Sequence, residues 1–181
     1  VLLADVPLHD VWQVELPNGG PDRTIAEIRS LISAKSLAEV NPFVRALLGL
    51  RRLLGKIFGW DSSQLTLRTP SYLSRLAVED RMSSLVEPGT ADGPFTVLYV
   101  HPREAVSEIR NATVHAFSAL ALEPLRGGYR LYCAIYVAPV GRLTAFYMAL
   151  IDPFRRLLVY PAILGHLHRA WLRAHPGATA Q

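Results

Sequence analysis

The residues best suited to chemistry in this sequence are a histidine and a set of tyrosines. His115 lies in Thr113–Leu122, a stretch rich in β-branched and aromatic residues. Read as a strand, it points Thr113, His115 and Phe117 to one side. If that side lines an apolar pocket, an imidazole there can take or give a proton near neutral pH. A buried structural histidine, or one on the solvent face, is the ordinary alternative. Tyr132 and Tyr136 share a face of the next strand, and Tyr147 lies in the segment that follows. These four positions are the catalytic candidates, His115 as proton donor or acceptor and the tyrosines as hydroxyl donors.

Around them, Trp12, Tyr99, Phe117 and Phe146 supply aromatic walls, while Glu108 and Arg142 supply charge, and these six are the ligand-binding candidates. Rings with a polar tip suit a pocket that holds a greasy molecule and orients one oxygen of it, and they suit plain core packing equally well. Glu108 and Asp152 are the acids nearest these elements, and no pair of carboxylates has a spacing that demands acid–base work.

The strong signatures are absent. No glycine-rich phosphate loop, no Gly-x-Ser-x-Gly elbow and no His pair at i and i+4 enclosing an acid occurs. His166 and His168 stand two apart in a helical stretch, on nearly opposite sides, and cannot share a metal. No cofactor and no metal site is therefore expected. Cys133 is the single cysteine, which excludes an intramolecular disulfide and a thiolate cluster and reads as a small buried hydrophobe in a reducing cytoplasm.

The elements that must position these groups are legible from periodicity. Val11–Leu16 alternates as a half-buried strand and ends in Pro17-Asn18-Gly19-Gly20-Pro21. Thr24 and Glu27 have capping-box spacing ahead of Ile25, Ile28, Leu31 and Ile32, which predicts a helix over about 24–35. Asn41-Pro42 starts a second helix running to Gly59, apolar on one broad side, with Arg45, Arg52 and Lys56 on the other. A solvated face is the plain reading of that basic side, and a membrane surface or an acidic partner is the alternative. Residues 61–93 are punctuated by Ser, Thr, Pro and Gly around a short helix at about 71–86, as in a lid or a surface loop insertion. Strands follow at Phe95–Val100, Ala105–Arg110, Thr113–Leu122 and about 129–138, the last two joined through Gly127-Gly128. A helix over about 141–173 closes the chain, broken at Asp152-Pro153.

Composition agrees with one domain over residues 1–181. Half the residues are apolar and 19% are charged, and a chain of 181 residues buries roughly 70% of its unfolded surface. The net charge of +4 rests on 17 Arg and two Lys against 15 acids, without the dense basic stripe of a nucleic-acid binder. The apolar run 131–151 is interrupted by Pro139, Gly141 and Arg142, leaving pieces too short for a bilayer of about 30 Å. The start of the chain lacks a basic segment and a long apolar run, so a cytoplasmic protein without a signal peptide is expected.

Three stretches carry a family resemblance: Asp10-Val11-Trp12, Asn41–Leu47 with Leu50-Arg51, and Arg142–Val159. They resemble a bacterial family of domains of unknown function in the START-like, polyketide-cyclase-like (SRPBCC) superfamily. The resemblance implies an α+β helix-grip fold, with two N-terminal helices and a curved antiparallel sheet wrapped around a long C-terminal helix. Two departures stand out. The family's Asp-Arg-His segment is replaced around Arg110-Asn111-Ala112, and Arg155 stands where the family has the His of Pro-Phe-His.

The resulting expectation is a cavity between sheet and C-terminal helix that binds a hydrophobic small molecule such as a polyketide, lipid or terpenoid. In one form it is a cofactor-independent cyclase, isomerase or lyase of secondary metabolism. In another it is a non-catalytic carrier, and in a third a dimerising interaction domain.

Overall fold

The computed structural model describes residues 2–31, 70–110, 114–138, 149 and 152–176. In chain order these form β1 (Leu8–Pro17), α1 (Ile25–Leu31), a 3-10 turn (Tyr72–Arg75), α2 (Val78–Met82), β2 (Ala91–Asp92), β3 (Phe95–Val100), β4 (Glu104–Arg110), β5 (His115–Leu125), β6 (Gly128–Ala138), a π turn (Arg155–Val159) and α3 (Tyr160–Ala174). The strands make one curved antiparallel sheet in the order β1-β6-β5-β4-β3-β2, so the first strand lies beside the last. The domain is α+β with a terminal helix, as the periodicity implies.

Strand alternation gives this sheet two apolar faces. On one, Leu16 of β1, Leu122 of β5, Leu131 of β6 and Val97 and Val100 of β3 pack against Ile25 and Ile28 of α1 and Leu167 and Trp171 of α3. The indole Nε1–H of Trp171 donates to the carbonyl of Pro17 at 2.8 Å, which pins the terminal helix to the end of β1. On the other, Tyr99, Val106 and Phe117 are covered by Leu3 and Val6 of the N-terminal turn and by Tyr72 and Leu76. Registers slip between Leu8 and Asp10 in β1 and between Val97 and Tyr99 in β3, irregularities of the kind that bend a strand.

Several elements differ from the sequence reading for identifiable reasons. The short helix expected at 71–86 is divided, because Leu76 and Ala77 adopt extended conformations between the 3-10 turn and α2. The loop at 88–93 contributes Ala91–Asp92 to the sheet edge, flanked by Gly89 and Gly93, both at positive φ. The third strand of the meander runs on to Leu125, and the hairpin closes with Leu125 opposite Gly128. The helix predicted at 41–59 and the part of the first helix beyond Leu31 lie outside the described residues.

Asp152-Pro153 lies at the edge of the described residues, and within them the departure from α geometry falls at Arg155–Val159. There the Tyr160 N–H reaches the Arg155 carbonyl, five residues back. Pro161 follows, with no N–H to donate and a ring that crowds the preceding turn, and a widened π turn accommodates it. Among the described residues, no helix is long and apolar enough to cross a membrane.

Candidate functional site

The sequence-selected residues separate between the two faces of the sheet. Trp12 stands opposite Cys133 and faces the terminal helix, where its ring lies 5.0 Å from that of Tyr160. His115, Phe117, Glu108, Tyr136, Tyr132 and Tyr99 lie on the face turned away from that helix, as the register requires: Glu108 is opposite Phe117, and Phe117 opposite Tyr136. Tyr147, Phe146 and Arg142 lie outside the described residues.

On the away face, Glu108 and His115 form a buried pair. His115 Nε2 is 2.9 Å from Glu108 Oε2, and both side chains are at most 1% exposed. The Tyr72 backbone N–H donates to the same oxygen at 3.1 Å, the Ser71 hydroxyl donates to Oε1, and Arg110 Nε lies 3.3 Å from Oε1. Burial alone pushes the Glu108 carboxyl up. The hydrogen bonds from His115, Ser71 and Tyr72, with the Arg110 charge, outweigh burial and hold it below its ordinary value. An ionised carboxylate only accepts, so His115 Nε2 donates to Glu108 Oε2. Nδ1 is buried and has no hydrogen-bond partner among the described residues. Phe117 lies against the ring at 4.5 Å and Tyr72 meets it edge-on at 5.3 Å.

The remaining tyrosines have other partners. Tyr99 gives its hydroxyl proton to Glu104 and stacks on His101 at 4.6 Å. Its hydroxyl is held protonated well above the usual range, first by burial and then by Glu104. Tyr132 donates to Glu123 at 2.8 Å on an exposed part of β6, four residues and so about 13 Å along the strand from Tyr136.

On the helix face, a charged network ties β1 to the start of the terminal helix. Arg155 reaches Asp152 at 2.9 Å, Asp10 at 3.3 Å and the hydroxyl of Tyr160 at 3.0 Å, and Arg156 reaches Asp10 at 3.0 Å. His9 Nε2 lies 3.0 Å from Asp152. His9, Asp10 and Asp152 bring their ligand atoms within 4.8 Å of one another, a spacing a metal could use, but the two guanidinium groups already engage both carboxylates. The arrangement is an ion-pair latch. Beside it, Trp12 Nε1 is buried without a hydrogen-bond partner among the described residues, and burial raises the Tyr160 hydroxyl despite Arg155.

Reasoning from types and spacing did not single out Ser71, Tyr72, His9, Asp10, Tyr160 or the Arg155 pairing. A signal for the latch was present: Asp10-Val11-Trp12 and Asp152–Arg156 are the stretches that carry the family resemblance, and folding brings them together. No comparable signal marks Ser71 and Tyr72, which lie in the least patterned part of the chain.

The architecture and its two polar clusters define an α+β domain with a layer on each face of one antiparallel sheet. A family model described as a protein of unknown function (DUF2867) matches residues 2–162, and the chain belongs to that family. No curated protein and no solved structure matches the chain.

Proposed function

We propose that this domain is a helix-grip, START-like container that holds a hydrophobic small molecule of polyketide, lipid or terpenoid type between the sheet and the C-terminal helix. The observation that carries this reading is the buried, unpartnered indole N–H of Trp12 at that seam. An unbonded buried donor costs about 1–3 kcal/mol, a penalty that an oxygen of a bound ligand would relieve. The Trp12 and Tyr160 rings supply apolar walls, and the Arg155 network closes one side with charge. The sheet order, with β1 beside β6 and both α1 and α3 on the same face, fits a sheet gripping a terminal helix.

Binding without chemistry is the first form of this proposal, because His115 and Glu108 lie across the sheet from Trp12. The cyclase, isomerase or lyase form would need proton-transfer groups on the helix side, and Tyr160 is the described candidate there.

Native mass spectrometry of the purified protein tests the container reading. A co-purified apolar ligand, or saturable uptake of an added fatty acid or polyketide-like ketone, is expected, with occupancy reduced in Trp12→Phe. Empty spectra together with no uptake would overturn it. A concentration-dependent mass without ligand would favour the dimerising alternative.

A further inference from the structure

We propose that Glu108 and His115 form a second, independent site on the face of the sheet away from the terminal helix. It takes a small ligand bearing an O–H donor, which hydrogen-bonds to His115 Nδ1.

The argument starts from the accounting of hydrogen bonds. Among the described residues, every contact to the Glu108 carboxylate is a donor aimed at one of its two oxygens, from Ser71, the Tyr72 backbone, Arg110 and His115. So many donors on one buried carboxylate fix its position, and through it the orientation and tautomer of the imidazole. Glu108 is thus a positioning residue, and the free lone pair on Nδ1 is the product of that positioning. A carboxylate that holds one imidazole nitrogen and leaves the other as proton acceptor is the arrangement of the catalytic triad, where histidine acts as a general base. A histidine needed only for packing would have no use for a fully buried nitrogen that accepts nothing, since such a group weakens the fold.

The chemical class follows from charge. A ligand carboxylate would present acceptor atoms to an acceptor nitrogen beside an existing anion. A hydroxyl, enol or phenol presents the matching donor. If the proton crosses, the ligand O–H bond breaks, its electron pair stays on oxygen, and the new N–H sits on an imidazolium already flanked by Glu108. Phe117 and Tyr72 provide aromatic walls on the ring.

Tyr72 also connects the pair to residues around a nearby hollow. Its ring borders His115 on one side. On the other it carries the Arg75 guanidinium at 4.1 Å and its hydroxyl lies 3.5 Å from Asp5. Asp5 and Arg75 line an open hollow of about 400 Å³ with Leu2, Ala4, Ala77 and Asp80. One side chain therefore touches both the buried pair and two residues that line the hollow, and in the proposed site a turn of the Tyr72 ring would admit the ligand.

Nitrogen-15 spectra of protein labelled at its histidines decide the matter, with phenol as the donor probe and anisole as its methylated control. In the free protein His115 Nδ1 should resonate as a lone-pair nitrogen without a hydrogen bond. Phenol should move it saturably toward the hydrogen-bonded position, and anisole should leave it in place. Glu108→Gln, which no longer holds the imidazole with an anion, should weaken the phenol effect by about tenfold or more. The site is refuted if Nδ1 is already hydrogen-bonded in the free protein, if phenol has no effect, or if anisole matches phenol. These wild-type readings stand whether or not the variant folds, and they do not depend on ligand uptake beside Trp12.

Discussion

A Cβ placed on Gly19 would stand 2.5 Å from Cζ2 of Trp171. Gly19 also sits at φ +89°, a conformation that side chains rarely adopt. The turn after β1 and the terminal helix are therefore built as one unit: the ring occupies the space a side chain would take, and its Nε1–H is bonded to Pro17 two residues earlier. Gly19→Ala should cost about 2 kcal/mol or more in urea unfolding. Trp171→Phe in the same chain should recover part of that loss, since the smaller ring removes the clash while the backbone strain remains. An additive double mutant would disprove the coupling.

Glu108 makes stability depend on pH in a defined direction. Its folded carboxyl is held below the ordinary value of 4.5, so the unfolded chain binds its proton first as pH falls. The stabilisation it gives is complete above about pH 4.5 and is lost as pH drops through the folded value. Glu108→Gln should remove about 3 kcal/mol at neutral pH, by leaving the buried donors of Ser71, Tyr72 and His115 without their anion, and should flatten the acid limb of a stability profile. Asp5, lowered by its hydrogen bond from Arg75, leaves a residual slope.

Among the described residues, Arg155 reaches Asp10, Asp152 and the Tyr160 hydroxyl. Arg155→Met should destabilise the protein by about 2 kcal/mol, and Arg155→Lys should recover only part, because an ammonium cannot reproduce the planar fork. Thermal melts of the two variants at low and high salt are the check. Asp10, with its side chain 8% exposed, should keep most of the effect at high salt.

Burial pushes the Cys133 thiol up, against a hydrogen bond from Ser118. The native protein should therefore react slowly with a thiol reagent at neutral pH and promptly once unfolded. Fast native labelling would show that the helix–sheet seam opens readily.

Much of this fold is written in local pattern, and the sites are not. Alternation from Phe95 to Ala138 gives the meander because each strand has one period and clear turn residues between neighbours. The same alternation placed His115 with Phe117 and Tyr132 with Tyr136, which the register bears out. It could not say which face meets the helix, since both faces of the sheet are apolar and both are covered. Residues 70–77 were illegible for a related reason. Their conformation depends on Ser71 and Tyr72 docking onto Glu108, a contact across more than thirty positions that leaves no periodic trace.

The neighbouring of β1 and β6 reaches beyond the finished structure. Glu15 meets Arg130 from 115 positions away, whereas every other strand pairing among the described residues joins a strand to its immediate successor. During synthesis β1 cannot meet β6 until the meander between them has left the ribosome. The expected order of assembly is the local meander first as a template, with β1 closing onto it afterwards.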